Sequence, residues 1–144
     1  MFAFYASGAG PLLRTVREDK MSSQSRIILY WSTTGLVAAE FAVGGMMDIL
    51  RLPPFIGIMK HLGYPTYFSM IIGLWKVLGA VAVLVPRFPR LKEWAYAGMF
   101  FTMTGAFASH LGAGDSLVML VAPLIFGGLV VASWFLRPAS RRVS

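Results

Sequence analysis

Residues 66–85 have the sequence TYFSMIIGLWKVLGAVAVLV, in which Lys76 is the only charged side chain among twenty residues. A helix of this length extends about 30 Å at 1.5 Å per residue, which matches the hydrocarbon thickness of a bilayer. Pro65 precedes the segment and Pro86 follows it, so both ends are marked by residues that interrupt helices. The segment therefore predicts a transmembrane helix.

Three further segments of similar character flank this helix, at 26–50, 93–111 and 116–136. Residues 55–65, between the first two spans, are too short and too interrupted by Gly and Pro to cross, and they predict a short interfacial helix. The predicted fold is all-α: an integral membrane four-helix bundle over residues 26–136. An N-terminal cytoplasmic tail is expected over 1–25, with Met21 as an alternative start, and a basic, disordered cytoplasmic tail over 137–144.

The composition supports a lipid environment. The chain is 57% hydrophobic and 13% charged, whereas soluble domains are about 45–50% apolar and about 25% charged. A soluble protein with a fully buried core is the alternative. The absence of cysteine excludes disulfides, thiol catalysis and Cys-ligated clusters.

The net charge of +7 indicates membrane topology rather than binding to nucleic acid, because the basic residues lie at the ends of the spans. Two basic residues, Arg51 and Lys60, fall on one side of the predicted bundle. Ten fall on the other side: Arg14, Arg17, Lys20, Arg26, Arg87, Arg90, Lys92, Arg137, Arg141 and Arg142. The positive-inside rule then places both termini in the cytoplasm.

Two charges of opposite sign lie inside the predicted spans. Glu40 is about 10 Å from the outer end of the first span and Lys76 about 15 Å from the outer end of the second. Because these spans are antiparallel, we predict an ion pair between them in the outer half of the bundle. The pair could serve only to fix helix register, or Lys76 could extend its ammonium to the interface.

His110, near the outer end of the third span, is the remaining candidate for an intramembrane polar site. It is either an interfacial histidine or a proton acceptor or ligand-binding group beside Glu40 and Lys76. Asp48 and Asp115 are expected to cap helix ends in water, with Asp115 as the N-cap of the fourth span. No spacing of histidines and carboxylates indicates a metal site.

Small residues form a stripe at helical spacing in the third span, and a shorter one occurs in the first. Such positions let helix backbones approach closely. The sequence therefore predicts helix contacts at Gly98, Thr102, Gly105 and Ser109, and at Gly35 with Ala39.

The sequence resembles the DoxX-like family of small bacterial membrane proteins over residues 26–136. The resemblance rests on YWSTTGL at 30–36 with the Gly pair at 44–45, HLGYP at 61–65, GLWKVLGAVAVLVPRFPRLKEWAYAGMFF at 73–101 and ASHL at 108–111. Two departures occur: residues 76–79 are KVLG where the family usually has KLLG, and 46–48 are MMD where many members have a Gly-x-x-Lys element. The resemblance implies a four-helix bundle in the bacterial cytoplasmic (inner) membrane. The family is named after a subunit associated with quinol and thiosulfate:quinone oxidoreductases, so it also implies a quinone and a membrane redox partner as candidates.

Three functions fit these features, and no catalytic constellation favours an enzyme. The first is an accessory or scaffold subunit, alone or as a homo-oligomer. The second is a quinone- or small-molecule-binding component of a membrane oxidoreductase that uses Glu40, Lys76 and His110, and the third is a small transporter. A cavity reaching Lys76 would favour the small-molecule-binding component. A close contact between Glu40 and Lys76 without a cavity would favour the accessory subunit. A water-filled path across the bundle would favour the transporter.

Overall fold

The computed structural model describes residues 9–143, of which 9–21 are described by their backbone alone. Five α-helices follow one another, and a 3₁₀ turn at Ala139–Arg141 comes after them. They are α1 (Ala9–Ile49), α2 (Phe55–His61), α3 (Thr66–Leu84), α4 (Pro89–Gly112) and α5 (Leu117–Leu136). The all-α class predicted from the sequence is confirmed.

Four long helices contact one another in a ring, in which α1 packs on α3 and α5, and α4 packs on α3 and α5. The short helix α2 lies against α1 and α3. All four long helices contribute to one buried core, made of Val37, Ala38, Phe41, Ala80, Val83, Tyr96, Met99, Met103 and Val130. Many of the large apolar side chains that are not in this core face outward. That surface suits lipid better than water.

Three segments are long and apolar enough to cross a membrane: Ser22–Ile49, Thr66–Leu84 and Leu117–Leu136. Helix α4 has 24 residues, which is sufficient length, but it is not among the candidate spans of the described chain. Its first turn contains Arg90 and Lys92 and its last turn contains His110, which lower its hydropathy. The composition of α4 alone therefore does not show that this helix crosses the membrane.

The C-terminal tail differs from expectation, and most of the predicted N-terminal tail is helical. Residues 9–25 continue α1 as helix, while residues 1–8 lie outside the described residues. The predicted disorder of the C-terminal tail is wrong for residues 137–143. Arg137 is only 3% exposed, and Arg141 donates a hydrogen bond from Nη1 to the carbonyl oxygen of Val83 at 3.0 Å. The tail folds back because the last carbonyl groups of α3 attract cations.

Lys92 also caps the C-terminus of α3. Its buried Nζ donates to the carbonyl oxygens of Ala82 (2.8 Å), Val83 (3.3 Å) and Val85. The C-termini of α3 and α5 and the N-terminus of α4 thus share one end of the molecule, here called the basic end. It holds Arg87, Arg90, Lys92, Arg137, Arg141 and Arg142, and the turn between α4 and α5 lies at the opposite end.

Candidate functional site

The two charges predicted to pair do so where α1 crosses α3. Lys76 Nζ lies 3.5 Å from Glu40 Oε1. Lys76 is 6% exposed. Its ammonium is therefore buried against α1, and the alternative in which it extends to the membrane interface is wrong. The pairing follows from the antiparallel order of the two helices, which brings side chains at similar depth together.

Asp48 joins this pair, which corrects the expectation that it caps a helix end in water. Its side chain is 1% exposed, and its Oδ2 lies 3.3 Å from Lys76 Nζ. Its backbone carbonyl oxygen accepts a hydrogen bond from Ser69 Oγ at 2.9 Å. The signal was present in the sequence, because Asp48 follows Glu40 by eight residues and such positions share one helix face. We call Glu40, Asp48 and Lys76 the Lys76 cluster.

Close approach of the two backbones makes room for this cluster. A Cβ added to Gly73 would lie 2.6 Å from the carbonyl oxygen of Gly45, and one added to Gly45 would lie 2.8 Å from that of Gly73. A Cβ on Gly44 would lie 2.7 Å from Lys76 Nζ. These three glycines let α1 and α3 touch, and any larger residue would push the lysine or the backbone away.

Most of the small residues predicted as contact faces do not meet a neighbouring helix, although Ser109 Oγ lies 2.7 Å from the hydroxyl oxygen of Tyr64, just before α3. Gly35, Gly98 and Gly105 each have open space where a Cβ would stand. Thr102 and Ser109 donate hydrogen bonds to carbonyl oxygens of their own helix. Helical spacing alone does not distinguish these positions from Gly44, Gly45 and Gly73, where the backbones do approach.

The electrostatics of the Lys76 cluster are unbalanced. Two carboxylates share one ammonium, and Glu40 Oε2 is buried without a hydrogen-bond partner among the described residues. The rings of Phe41 and Phe55 lie 5.8 and 5.0 Å from Lys76 Nζ, where their faces attract the cation. A fully ionised cluster would leave one uncompensated negative charge in a medium of low dielectric constant, which is costly. The arrangement is therefore suited to holding one proton.

His110 is not part of this cluster, which corrects the predicted grouping of Glu40, Lys76 and His110. Its Nδ1 lies 2.7 Å from Asp115 Oδ2, and His61 Nε2 lies 2.6 Å from Asp115 Oδ1. We call His61, His110 and Asp115 the Asp115 cluster; it ties α2 to the turn between α4 and α5. Hydrogen bonds from His110 and from His61 lower the pKa of Asp115 below its ordinary value.

The predicted N-cap role of Asp115 is also wrong. Ser116 occupies the N-cap position of α5, and that helix end has no side-chain cap. Both carboxylate oxygens of Asp115 contact histidines instead. Across residues 22–143, no group of three His, Asp or Glu side chains is arranged to hold a metal ion.

Two open grooves lie between α4 and α5, with volumes of about 490 and 340 Å³. The first is lined by Glu93, Tyr96, Ala97, Phe100, Phe101, Val130, Val131 and Trp134. The second is lined by Phe100, Met103, Thr104, Phe107, Pro123, Leu124, Gly127, Gly128 and Val131. Neither lining includes Glu40, Lys76 or His110, so the predicted polar residues do not face these grooves.

The helical fold, the outward apolar faces and the charges buried between helices define a membrane protein. The sequence model of the DoxX-like family matches residues 32–133, and the chain belongs to this family. A relative in Bacillus subtilis (strain 168), "Uncharacterized protein YdgD", is 27% identical over 92 residues. The alignment covers 62% of this chain and 80% of the relative. No solved structure matches the chain.

Proposed function

We propose that this protein is a non-enzymatic accessory or scaffold subunit in the bacterial inner membrane, with four crossings and both termini in the cytoplasm. One observation carries the proposal: Lys76 is buried within 3.5 Å of both Glu40 and Asp48. The intramembrane charges thus contact one another inside a helix pair, where one ammonium and one proton would balance the two carboxylates. Their main effect is to fix how α1 and α3 pack, which is the role expected of a structural subunit.

The connections of α4 support its crossing as the third of the four spans predicted from the sequence. Four residues join it to α3, and four join it to α5. Packing of α4 on both of these apolar helices supports its return across the same thickness that they cross. The buried Tyr96, Met99 and Met103 give it an apolar face toward the core.

The topology can be tested by thiol labelling, because the chain contains no cysteine. Ala139→Cys lies at the basic end, and Ala113→Cys lies in the turn between α4 and α5. We expect a membrane-impermeant maleimide added to spheroplasts to label Ala113→Cys, and to label Ala139→Cys only after lysis. Labelling of both positions in intact spheroplasts would contradict four crossings.

The accessory role can be tested by gentle extraction of the protein from its native membrane. We expect an assembly with a second polypeptide at fixed stoichiometry, and no quinone in stoichiometric amount. A homogeneous protein that retains one quinone per chain, and loses it in Glu40→Gln, would overturn the proposal.

Retention of a quinone that is lost in Glu40→Gln would instead support the alternative function, a quinone- or small-molecule-binding component of a membrane oxidoreductase. The observation that favours it is the buried, unpartnered Glu40 Oε2, which could accept a proton or a hydrogen bond. The position of His110 in the Asp115 cluster weighs against the three-residue site first expected.

A further inference from the structure

The first groove between α4 and α5 has an apolar floor and an open side. Tyr96 and Val130 are 3% and 1% exposed and form the floor, while Phe101 and Val131 are exposed on the walls. The second groove shares Phe100 and Val131 with the first, so the two adjoin along the seam between α4 and α5, and together they are called the channel. An elongated apolar molecule would fit such a channel better than a compact one.

The length of the channel matches one leaflet. On α4 its lining extends from Glu93 to Phe107, which corresponds to about 21 Å at 1.5 Å per residue. One leaflet contributes about 15 Å of hydrocarbon, and the interfacial region adds several ångströms. A lipid tail entering from the basic end would therefore be accommodated over its whole length.

Arg137 and Glu93 form an ion pair at the basic end of the channel. Arg137 Nη2 donates to Glu93 Oε1 at 2.7 Å, and Trp134 Nε1 donates to Glu93 Oε2 at 2.8 Å. The Arg137 guanidinium carbon lies 5.0 Å from the ring centroid of Tyr96 and 5.5 Å from that of Trp134. Arg137 thus contacts three residues that line the channel.

This guanidinium retains an unused donor. Arg137 is 3% exposed, and its Nη1 has no hydrogen-bond partner among the described residues. A buried N–H group of a cation without an acceptor costs free energy. An acceptor oxygen from a bound molecule would satisfy it.

The charge around this donor favours an anion. Glu93 is the carboxylate bound to Arg137. Arg142 donates to the backbone carbonyl oxygens of Arg137 and Phe135, so its side chain lies at the same end of α5. Arg90 precedes Glu93 by one helical turn and is exposed. Three arginines and one carboxylate thus lie at this end of the channel.

We propose that this channel binds one anionic phospholipid of the leaflet at the basic end. Its phosphate accepts hydrogen bonds from Arg137 Nη1 and neighbouring arginines, and one acyl chain lies along the seam between α4 and α5. A zwitterionic lipid would match the charge less well, and a quinone would offer a carbonyl oxygen without negative charge.

Native mass spectrometry of the purified, delipidated protein tests this site. Dioleoylphosphatidylglycerol, dioleoylphosphatidylcholine and ubiquinone are added separately at equal concentration. We expect one retained phosphatidylglycerol per chain, with affinity about tenfold above that of phosphatidylcholine, because the arginines at the basic end repel the choline cation whereas glycerol carries no charge. Retention of ubiquinone in preference to phosphatidylglycerol, or of no lipid, would overturn the proposal.

Two variants and one control locate the lipid. Ala97→Phe fills the channel from an exposed position and should abolish retention, whereas Ala39→Phe, at an exposed site on α1, should leave it unchanged. Arg137→Gln should remove the preference for the anionic headgroup. Melting temperatures identify any variant that fails to fold. Equal retention by Ala97→Phe and the wild type would refute binding in the channel, whatever the outcome for Arg137→Gln.

Discussion

The Lys76 cluster and the Asp115 cluster each place one central ionisable side chain between two others. In the first, one cation lies between two carboxylates, and in the second, one carboxylate lies between two histidines. They differ in burial: Asp48 and Lys76 are almost inaccessible, whereas the His61 side chain is 57% exposed. Burial strengthens the interaction of charges and raises the penalty for leaving one unpaired, so the two clusters should respond very differently to the same kind of change.

The largest effect is expected from removal of the central cation. Lys76→Met leaves Glu40 and Asp48 facing each other without a counter-ion, and should lower the free energy of unfolding by about 3–5 kcal/mol. Unfolding by SDS in mixed micelles, followed by tryptophan fluorescence, measures this loss. The triple variant with Glu40→Gln and Asp48→Asn should recover most of it. Wild-type stability in Lys76→Met alone would show that the cluster is not an energetic unit.

A smaller loss is expected when the helices around the Lys76 cluster are forced apart. Gly73→Ala places a Cβ against the backbone of α1, and such overpacking should cost about 1–3 kcal/mol. The same SDS titration applies. Gly105→Ala is the matched control, because its Cβ meets open space and alanine is the better helix former. Equal losses in both variants would attribute the effect to glycine in general rather than to this contact.

The Asp115 cluster should show a weaker effect that depends on pH. Its hydrogen bonds lower the pKa of Asp115, so the carboxylate stabilises the fold above its unfolded pKa of about 3.9. This contribution disappears as the pH falls through the lower pKa of the folded state. We expect Asp115→Asn to reduce the melting temperature at pH 6–7 by less than Gly73→Ala does.

The difference in melting temperature between wild type and Asp115→Asn should then shrink toward zero below pH 4. A difference that stays constant down to pH 3 would mean that the charge of Asp115 does not contribute.

The smallest effect is expected at the exposed side of the same cluster. His61→Gln removes a contact that water can replace, whereas His110→Gln removes one whose histidine side chain is only 9% exposed. Melting temperatures should therefore fall less for His61→Gln than for His110→Gln. The reverse order would indicate that attachment of α2 matters more than burial.

Much of the Lys76 cluster was accessible from the sequence. Helix length and antiparallel order placed Glu40 and Lys76 at similar depth, and the ion pair is present. Asp48 was misassigned because a carboxylate near a helix end is usually hydrated, and only the covering of α1 by α3 buries it. His110 was misassigned because depth along the membrane does not specify which neighbour a side chain faces.

The sequence by itself determined the all-helical class, the family and the apolar segments, since hydropathy is a local property of each stretch of chain. Only the tertiary structure decided which charges meet, which glycines touch, and that the C-terminal tail caps α3. These depend on the rotation of each helix about its axis and on the neighbour it packs against. The segment 66–85 shows both contributions: its composition defines a span, and Gly73 with Lys76 acquires a role only when α1 lies across it.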